Sequence, residues 1–247
     1  MTVETPEDLR GLLRIGRVVG MTLRAMQEAL RPGMTTGELD AIADAELRRH
    51  HARPAPRITL NFPGVACISV NDEAAHGIPG QRVIQPGDLV KLDVSAELEG
   101  YFADAAVSVP VPPITPRQRR LCDCAKATFD AALATARAGT PINQIGRIAE
   151  LTARRWGFRA IGELPGHGVG KALHEWPSVP NVFLRQARQQ LSEGLVITIE
   201  PHVAAGAGRL KTDADGWTLR TRDGGWVAAH EHTLVITRDR PILVTAV

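Results

Sequence analysis

The sequence has few aromatic residues and few cysteines. Phe, Trp and Tyr make up 4% of its 247 residues, which argues against a surface that stacks on nucleic-acid bases. The three cysteines, Cys67, Cys122 and Cys124, form no Cys-x₂-Cys pair, so neither a structural zinc site nor a disulfide framework is expected. We therefore expect a chain that folds without disulfides in a reducing cytoplasm.

Long apolar runs and an excess of one charge are also missing. No apolar run approaches the roughly 20 residues of a membrane span, and the first residues do not follow the secretory-leader pattern, so we expect no membrane contact. Lys and Arg number 29 against 27 Asp and Glu, a net charge of +2. Because the two signs are mixed along the chain, we expect no specific nucleic-acid binding.

The stretch from Gly87 to Val109 predicts a β-hairpin. Apolar and polar residues alternate on both sides of Glu99-Gly100, where we expect the turn. Ser95 then lies opposite Asp104, and Asp93 is a diagonal neighbour on the same face, with Cβ atoms roughly 7–8 Å apart. Two carboxylates in one pocket need a nearby cation, or one of them keeps a proton. Taken alone, such a pair is more typical of a solvated sheet face.

Capping signals mark three helix starts. Thr5 precedes Pro6 at the start of a first helix, which we expect to end near Arg31-Pro32-Gly33. Thr35 with Glu38, and Thr115 with Gln118, make capping boxes at two more helix starts. Between the second and third helices we expect strands around Ile58 and from Val65 to Val70.

The second half of the chain repeats the first. At an offset of 106, the helical segment from Pro32 is matched by the segment from Ala138, and the strand that ends at Asp93 is matched by one that ends at Glu200. The repeat predicts an α+β fold with two pseudo-symmetric halves, about 5–112 and 113–240. We expect them to pack as one domain, 1–247, with a shared antiparallel sheet covered by helices.

The repeat also predicts a metal site. If Glu200 corresponds to Asp93, then Glu231, in a predicted strand over 230–237, corresponds to Asp104. Four carboxylates in one pocket favour bound divalent metal, and two ions roughly 3.5–4 Å apart would account for so many oxygens. The glycine-rich segment Gly166–Glu175 is expected to add an imidazole, a donor set that suits Mn(II), Fe(II) or Co(II).

Several motifs resemble one known family over about 9–237. They are CISVND at Cys67, HGIP at His76, KLDV with Asp93, the Asp104 eleven residues later, GHGVGKALHE with His167, ITIEP with Glu200, DGWTLRT at Asp215 and EHT with Glu231. In number, order and spacing they resemble the methionine aminopeptidases of the short bacterial type I class. The resemblance implies a pita-bread fold, in agreement with the repeat.

The same resemblance implies a site and a reaction. It gives five ligands for two metal ions, namely Asp93, Asp104, His167, Glu200 and Glu231. It implies that His76 and His174 contact the substrate peptide, that Glu200 takes the proton of a metal-bridging water, and that His174 stabilises the oxyanion. The implied activity is removal of the N-terminal methionine from nascent proteins and peptides.

The implied substrate pocket departs in part from the family pattern. Cys67, Phe62 and Trp217 match the expected cysteine and aromatic residues, whereas Thr59 and Leu173 stand where aromatic side chains are expected. Before Glu231, a glutamine and an aromatic residue are replaced by Ala229 and His230, and His202 follows Glu200-Pro201. These changes leave the ligand set intact and place the preference for methionine in question.

Four interpretations therefore stay open. In the first, the chain is a housekeeping enzyme with tolerated substitutions, and in the second it is a divergent paralogue aminopeptidase with another N-terminal residue preference. In the third it is a pita-bread peptidase of the Xaa-Pro type, and in the fourth it is a non-catalytic member that binds peptides or a partner protein. We expect a monomer, and the short basic cluster of Arg117, Arg119 and Arg120 suits either a solvated face or a transient ribosome contact.

Overall fold

A computed structural model describes residues 1–247. The five helices are α1 (Pro6–Ala29), α2 (Thr36–Arg49), α3 (Ala55–Leu60), α4 (Pro116–Thr135) and α5 (Asn143–Arg155). The strands are β1 (Arg53–Pro54), β2 (Cys67–Val70), β3 (Glu73–Ala75), β4 (Leu89–Leu98), β5 (Tyr101–Pro110), β6 (Arg159–Ala160), β7 (Gly166–Gly168), β8 (Glu175–Val179), β9 (Val196–Ile199), β10 (His202–Ala204), β11 (Leu210–Thr212), β12 (Leu219–Thr221), β13 (Val227–Ala229), β14 (His232–Val235) and β15 (Ile242–Leu243). The predicted α+β class is confirmed.

The two predicted capping boxes and the predicted Thr5 N-cap are present. Thr5, Thr35 and Thr115 each accept a hydrogen bond from the backbone three residues on, and the side chain at that position bonds back to the cap. The first helix ends at Ala29, slightly before the predicted Arg31-Pro32-Gly33 turn. None of the helices has the length and apolarity that a bilayer span requires.

The strand predicted around Ile58 is wrong. Ile58 lies in the short helix α3, which has a proline in its first turn. Pro56 fixes a helical φ and lacks only an N–H that would have no partner there. Ile58 is 44% exposed, so this β-branched side chain does not pack in a sheet.

The predicted hairpin is confirmed in its register. β4 and β5 pair antiparallel, Leu98 opposes Tyr101, and Ser95 opposes Asp104. The two turn residues, Glu99 and Gly100, have φ values of 51° and 79°. Positive φ at both positions suits the right-handed twist of a two-residue hairpin.

The two halves meet through their sheets. In the first half, β4 lies between β2 and β5, and in the second half the strand order is β15-β14-β9-β7-β8. Between them the Glu231 N–H donates to the Ala106 carbonyl at 2.8 Å, and Val107 forms an isolated bridge with His230. This short ladder joins the hairpin of the first half to the second half.

Helices cover each half on the outside. The largest buried cluster packs α1 and α2 against the hairpin, with Leu12, Leu39 and Leu92 among its members. A second cluster packs α4 and α5 against β9 and β14, and it includes Phe129 and Ile197. Burial of these apolar faces fixes the sheets whose inner faces carry the site.

An ion cluster also joins the halves. β12 of the second half pairs with β3 of the first. The guanidinium of Arg220 on β12 contacts Asp72 at 2.6 Å, Glu73 at 2.9 Å and Asp213 at 2.9 Å. With only 25% of its side chain exposed, Arg220 braces the contact between β3 and β12.

Replacing Arg220 with methionine (Arg220→Met) should lower the free energy of unfolding by about 2 kcal/mol or more, because three carboxylates lose a charged hydrogen-bond donor. Urea denaturation at neutral pH measures this change. Arg238→Met, which breaks an exposed pair with Glu193, should leave the free energy of unfolding nearly unchanged. Equal stability of the two variants would contradict the bracing role of Arg220.

Candidate functional site

Three predicted ligands come together where the sheets meet. Potential ligand atoms of Asp104, His167 and Glu231 lie within 4.8 Å of one another. Asp104 comes from the hairpin of the first half, and the other two come from the second half. The site therefore exists only when the halves are packed together.

Backbone pairing across the halves positions the two carboxylates. The Asp104 N–H donates to the Thr233 hydroxyl at 2.9 Å, and that hydroxyl donates to the Asp104 carbonyl at 2.8 Å. Two residues farther along the hairpin strand, the Ala106 carbonyl accepts a hydrogen bond from the Glu231 N–H. Each carboxylate is thus held by main-chain contacts, and its side-chain oxygens are left for another partner.

Two glycines let the strand of His167 approach its neighbours. A Cβ atom at Gly166 would lie 2.6 Å from the carbonyl oxygen of Thr198, and one at Gly168 would lie 2.3 Å from that of Trp176. No larger residue fits at either position without a backbone shift. The flanking glycines of the predicted motif therefore allow β7 to carry His167 into the site.

Hydrogen bonding assigns the tautomer of His167. Nδ1 lies 2.9 Å from the Gly168 carbonyl, which places the proton on Nδ1 and leaves the Nε2 lone pair free. Nε2 lies 3.8 Å from Oδ2 of Asp104. Burial, helped by nearby His174, lowers the pKa of His167 to about 4. A neutral ring with a free lone pair is the form that ligates metal.

The buried carboxylates of this group lack partners. Oδ1 of Asp104 and both Oε atoms of Glu231 are buried without a hydrogen bond. Thr198 lies near enough to Glu231 to lower its pKa slightly, but not in hydrogen-bonding geometry. Burial first, and then neighbouring carboxylates, raise the pKa values of Asp104 and Glu231 well above the ordinary range. Unpaired buried acceptors of this kind fit a bound cation.

Asp93 and Glu200 fall outside the compact group but belong to the same pocket. Burial raises the pKa of Asp93 to about 6. Burial and the Asp93 carboxylate raise the pKa of Glu200 to about 8. Both carboxylates in turn raise the pKa of Asp104. Four carboxylates and one neutral imidazole form a donor set that fits divalent metal.

The two other predicted histidines stand beside this group. The ring of His174 makes an edge contact with that of His167, with centroids 4.4 Å apart. His76 has a φ of 56° and offers its carbonyl to the Thr218 hydroxyl at 3.5 Å. Both side chains keep exposed faces, although surrounding protein lowers the pKa values of both rings, that of His76 to about 4. Neutral rings at the surface of the pocket can contact a substrate.

The structure brings part of the predicted substrate pocket together. Cys67 is buried and lies opposite Asp93 in the β2–β4 ladder. The rings of Phe62 and Trp217 make an edge contact at 5.2 Å between centroids. Thr59 is exposed on α3, and its hydroxyl bonds to the Ala55 carbonyl at 2.7 Å.

Two of the unusual residues lie in packed surroundings. Leu173 is 3% exposed and belongs to the main core. His230 packs against Phe129 of α4, with ring centroids 5.0 Å apart. Because neighbours in an extended strand point to opposite faces, His230 lies on the helix-covered side when Glu231 points inward.

Lys91 and His202 are functional candidates to which the sequence patterns gave no role. Both are 1% exposed, and Nζ of Lys91 lies 3.0 Å from Nε2 of His202. The strand alternation already placed Lys91 on the face of Asp93, two residues away. Its contact with His202 of the second half could not be predicted from the residues around either position.

The variant Glu231→Gln should separate charge repulsion from metal binding. Without metal, we expect its unfolding temperature to equal or exceed that of the wild type, because repulsion among the buried carboxylates falls. With Mn(II), the wild type should gain stability by binding, and the variant should gain much less. Thermal unfolding with chelator or with Mn(II) measures both effects.

Glu193→Gln removes an exposed carboxylate and serves as the control that should behave as the wild type. If Mn(II) stabilised Glu231→Gln as strongly as the wild type, Glu231 would not be a ligand.

The chain is similar to known bacterial proteins over nearly its whole length. It is 42% identical over 247 residues to methionine aminopeptidase 2 of Bacillus subtilis, with 99% of each chain covered. It is 32% identical over 249 residues to the methionine aminopeptidase of Helicobacter pylori, and the match covers 99% of this chain and 98% of that protein. The resemblance found in the motifs is confirmed.

Solved structures show the same architecture. The methionine aminopeptidase of Thermotoga maritima superimposes with a TM-score of 0.96 at 30% identity, and each chain is fully covered. The prolidase of Pyrococcus furiosus has a TM-score of 0.80 at 22% identity, and the chain covers 66% of it, a likeness that shows the fold alone. These likenesses confirm the predicted pita-bread fold.

A family profile also matches most of the chain. Residues 10–238 match the profile of metallopeptidase family M24. The match includes all five predicted ligands and both histidines at the surface of the pocket. With relatives of 42% identity over the full length, the chain belongs to metallopeptidase family M24.

Proposed function

We propose that the chain is a dimetal hydrolase that removes the N-terminal methionine from nascent proteins and peptides. The observation that carries the proposal is the convergence of His167 with the unpartnered oxygens of Asp104 and Glu231. Buried acceptors without donors are costly in a folded core, and a bound divalent ion relieves that cost. The names of the full-length relatives supply the reaction.

Membership of a metallopeptidase family implies the use of divalent metal. We assign two ions, Co, Mn or Fe, to the ligands Asp93, Asp104, His167, Glu200 and Glu231. When bound, such ions supply Lewis acidity toward a peptide carbonyl and lower the pKa of water toward neutrality. The oxygen-rich set with one imidazole suits these harder ions better than thiolate-seeking ones.

The remaining catalytic roles belong to side chains of the chain itself. Glu200 is the proposed general base, because the family resemblance assigns its carboxylate the proton of the attacking water. His174 donates a hydrogen bond to the developing oxyanion, a contact worth about 2.7–4 kcal/mol in related chemistry. His76 is proposed to contact the substrate peptide.

The acidic pocket also explains why only the first residue would be removed. A free α-amine can bind a metal ion or a nearby carboxylate of this pocket, whereas an internal peptide nitrogen offers neither a free lone pair nor a charge. We assign the pocket for the methionine side chain to Cys67, Phe62, Thr59, Leu173 and Trp217. The edge contact of Phe62 with Trp217 provides an apolar wall for such a side chain.

Three alternatives change the substrate or the role. A divergent aminopeptidase with another N-terminal preference is favoured by the absence of aromatic residues at Thr59 and Leu173. A peptidase of the Xaa-Pro type is suggested by the shared fold with the prolidase. A non-catalytic scaffold that binds peptides or a partner would fit only if metal binding were lost.

We further propose that residues 1–247 act as a single catalytic domain, as a monomer and in the cytoplasm. A transient ribosome contact would use the exposed side chains of Arg117, Arg119 and Arg120. Arg117 and Arg120 donate to the backbone carbonyls of Ala205 and Trp156, so these guanidinium groups face no carboxylate. A cluster of this size supports a weak, salt-sensitive contact.

The test is hydrolysis of X-Ala-Ser tripeptides, with X varied, by metal-free protein resupplied with Co(II), Mn(II) or Fe(II). We expect fast release when X is methionine and slow release otherwise. Glu200→Gln should lower kcat at least 100-fold because the general base is lost. Glu193→Gln should match the wild type.

Other outcomes select the alternatives. Release of the first residue only when X is a residue other than methionine would favour the divergent aminopeptidase. Preferential cleavage of Ala-Pro peptides would favour the Xaa-Pro type. Intact peptides in the presence of bound metal, with Glu200→Gln indistinguishable from the wild type, would overturn the proposed activity.

A further inference from the structure

The segment that carries His174 has no regular secondary structure. It covers residues 170–174, between β7, which holds His167, and β8, which begins at Glu175. His174 is exposed, and its ring makes an edge contact with the ring of His167, with centroids 4.4 Å apart. The direction of the ring therefore depends on the backbone of residues 170–174, which we call the His174 loop.

One side chain closes the His174 loop. Oε1 of Glu175 accepts hydrogen bonds from the N–H groups of Lys171 at 2.6 Å and of Ala172 at 2.8 Å. Both N–H groups lie outside the strands and donate to no backbone carbonyl. Bonds from an N–H to a charged carboxylate are shorter and stronger than bonds between neutral groups. The carboxylate thus folds the loop back toward its own end.

The backbone of Glu175 is fixed beside the strand of His167. Glu175 pairs with Gly168 in the antiparallel ladder of β7 and β8, and Gly168 directly follows His167. A carboxylate attached at this point links the position of the His174 loop to that of His167. Glu175 is also the last residue of the GHGVGKALHE motif, and the proposed chemistry gives it no role.

Other contacts anchor the loop to the body of the protein. The Phe102 N–H donates to the carbonyl of Gly170 at 2.8 Å. The ammonium of Lys171 lies 3.5 Å from the centre of the Tyr101 ring. Leu173 is 3% exposed and packs in the main core. None of these contacts uses the two N–H groups that the carboxylate binds.

The second oxygen of this carboxylate has a different partner. Oε2 of Glu175 contacts the α-ammonium of Met1. This ion pair contributes to stability without orienting His174, so a test must separate it from the loop contact. Glutamine at position 175 does so, because its amide keeps one oxygen for the two N–H groups and gives up the negative charge.

We propose that Glu175 is a positioning residue whose carboxylate closes the His174 loop and so directs the imidazole of His174 toward the carbonyl oxygen of the substrate. The inference rests on the proposed function, in which His174 donates a hydrogen bond to the developing oxyanion. Such a donor stabilises the transition state only when it is held at hydrogen-bond distance from that oxygen. Loss of its positioning should therefore lower kcat and leave KM nearly unchanged.

The experiment combines hydrogen exchange with kinetics. Glu175→Ala and Glu175→Met remove both acceptor oxygens, and Glu175→Met keeps a long side chain in case Glu175→Ala folds poorly. Glu175→Gln is the conservative variant, and Glu193→Ala removes an exposed carboxylate as the matched control. Mass spectrometry follows amide deuterium exchange of residues 170–175, and hydrolysis of Met-Ala-Ser with Mn(II) gives kcat and KM.

We expect the amides of the His174 loop to exchange at least tenfold faster in Glu175→Ala and Glu175→Met than in the wild type. In both variants kcat should fall at least tenfold, with KM changed less than threefold. Glu175→Gln should keep loop exchange and kcat within about threefold of the wild type, even where its thermal stability falls. Glu193→Ala should match the wild type in every measurement.

A double-mutant cycle tests whether Glu175 acts through His174. In a His174→Ala background, adding Glu175→Ala should lower kcat less than twofold further, because the side chain that Glu175 positions is already gone. A merely structural glutamate would lower kcat by the same factor in both backgrounds.

Two results would overturn the inference and leave the proposed function standing. They are an equal loss of kcat from Glu175→Ala with and without His174, and unchanged loop exchange in both variants that lack the acceptor oxygens. A folded wild type that binds Mn(II) and cleaves none of the tripeptides would instead refute the proposed function, and with it the role of His174 on which the inference rests.

Discussion

Repulsion among four buried carboxylates is the constraint on which the site depends. Asp104 and Glu231 come from different halves, and the short ladder between Ala106 and Glu231 brings them together. Oδ1 of Asp104 and both Oε atoms of Glu231 are shielded from water and have no hydrogen-bond donor. Such an arrangement is tolerated because the surrounding core is large and because positive charge can bind there. The fold therefore holds a local instability that metal relieves.

The ligand group draws on both halves of the fold. Asp104 comes from the hairpin of the first half, and His167 and Glu231 come from the second half. A divalent ion bound there would contact oxygens of both halves. The pita-bread fold serves the site because it packs the two halves together at this point.

Local patterns predicted the elements better than the contacts between them. Alternation fixed the hairpin register to the residue, since one slip would turn Asp104 to the other face, and capping residues marked three helix starts. The strand around Ile58 failed because a proline in the first turn outweighed β-branched propensity. The internal repeat and family motifs indicated the five ligands. The contact of Lys91 with His202 joins residues 111 positions apart, and no periodicity encodes it.

The most direct test of the metal centre is anomalous diffraction from crystals of the wild type grown with Mn(II). We predict a strong anomalous peak bonded to Asp104, His167 and Glu231, with oxygens of both halves around it. A fully folded protein with no peak at this position, or with Mn(II) bound only elsewhere, would contradict the claim that the two halves converge to form a metal centre.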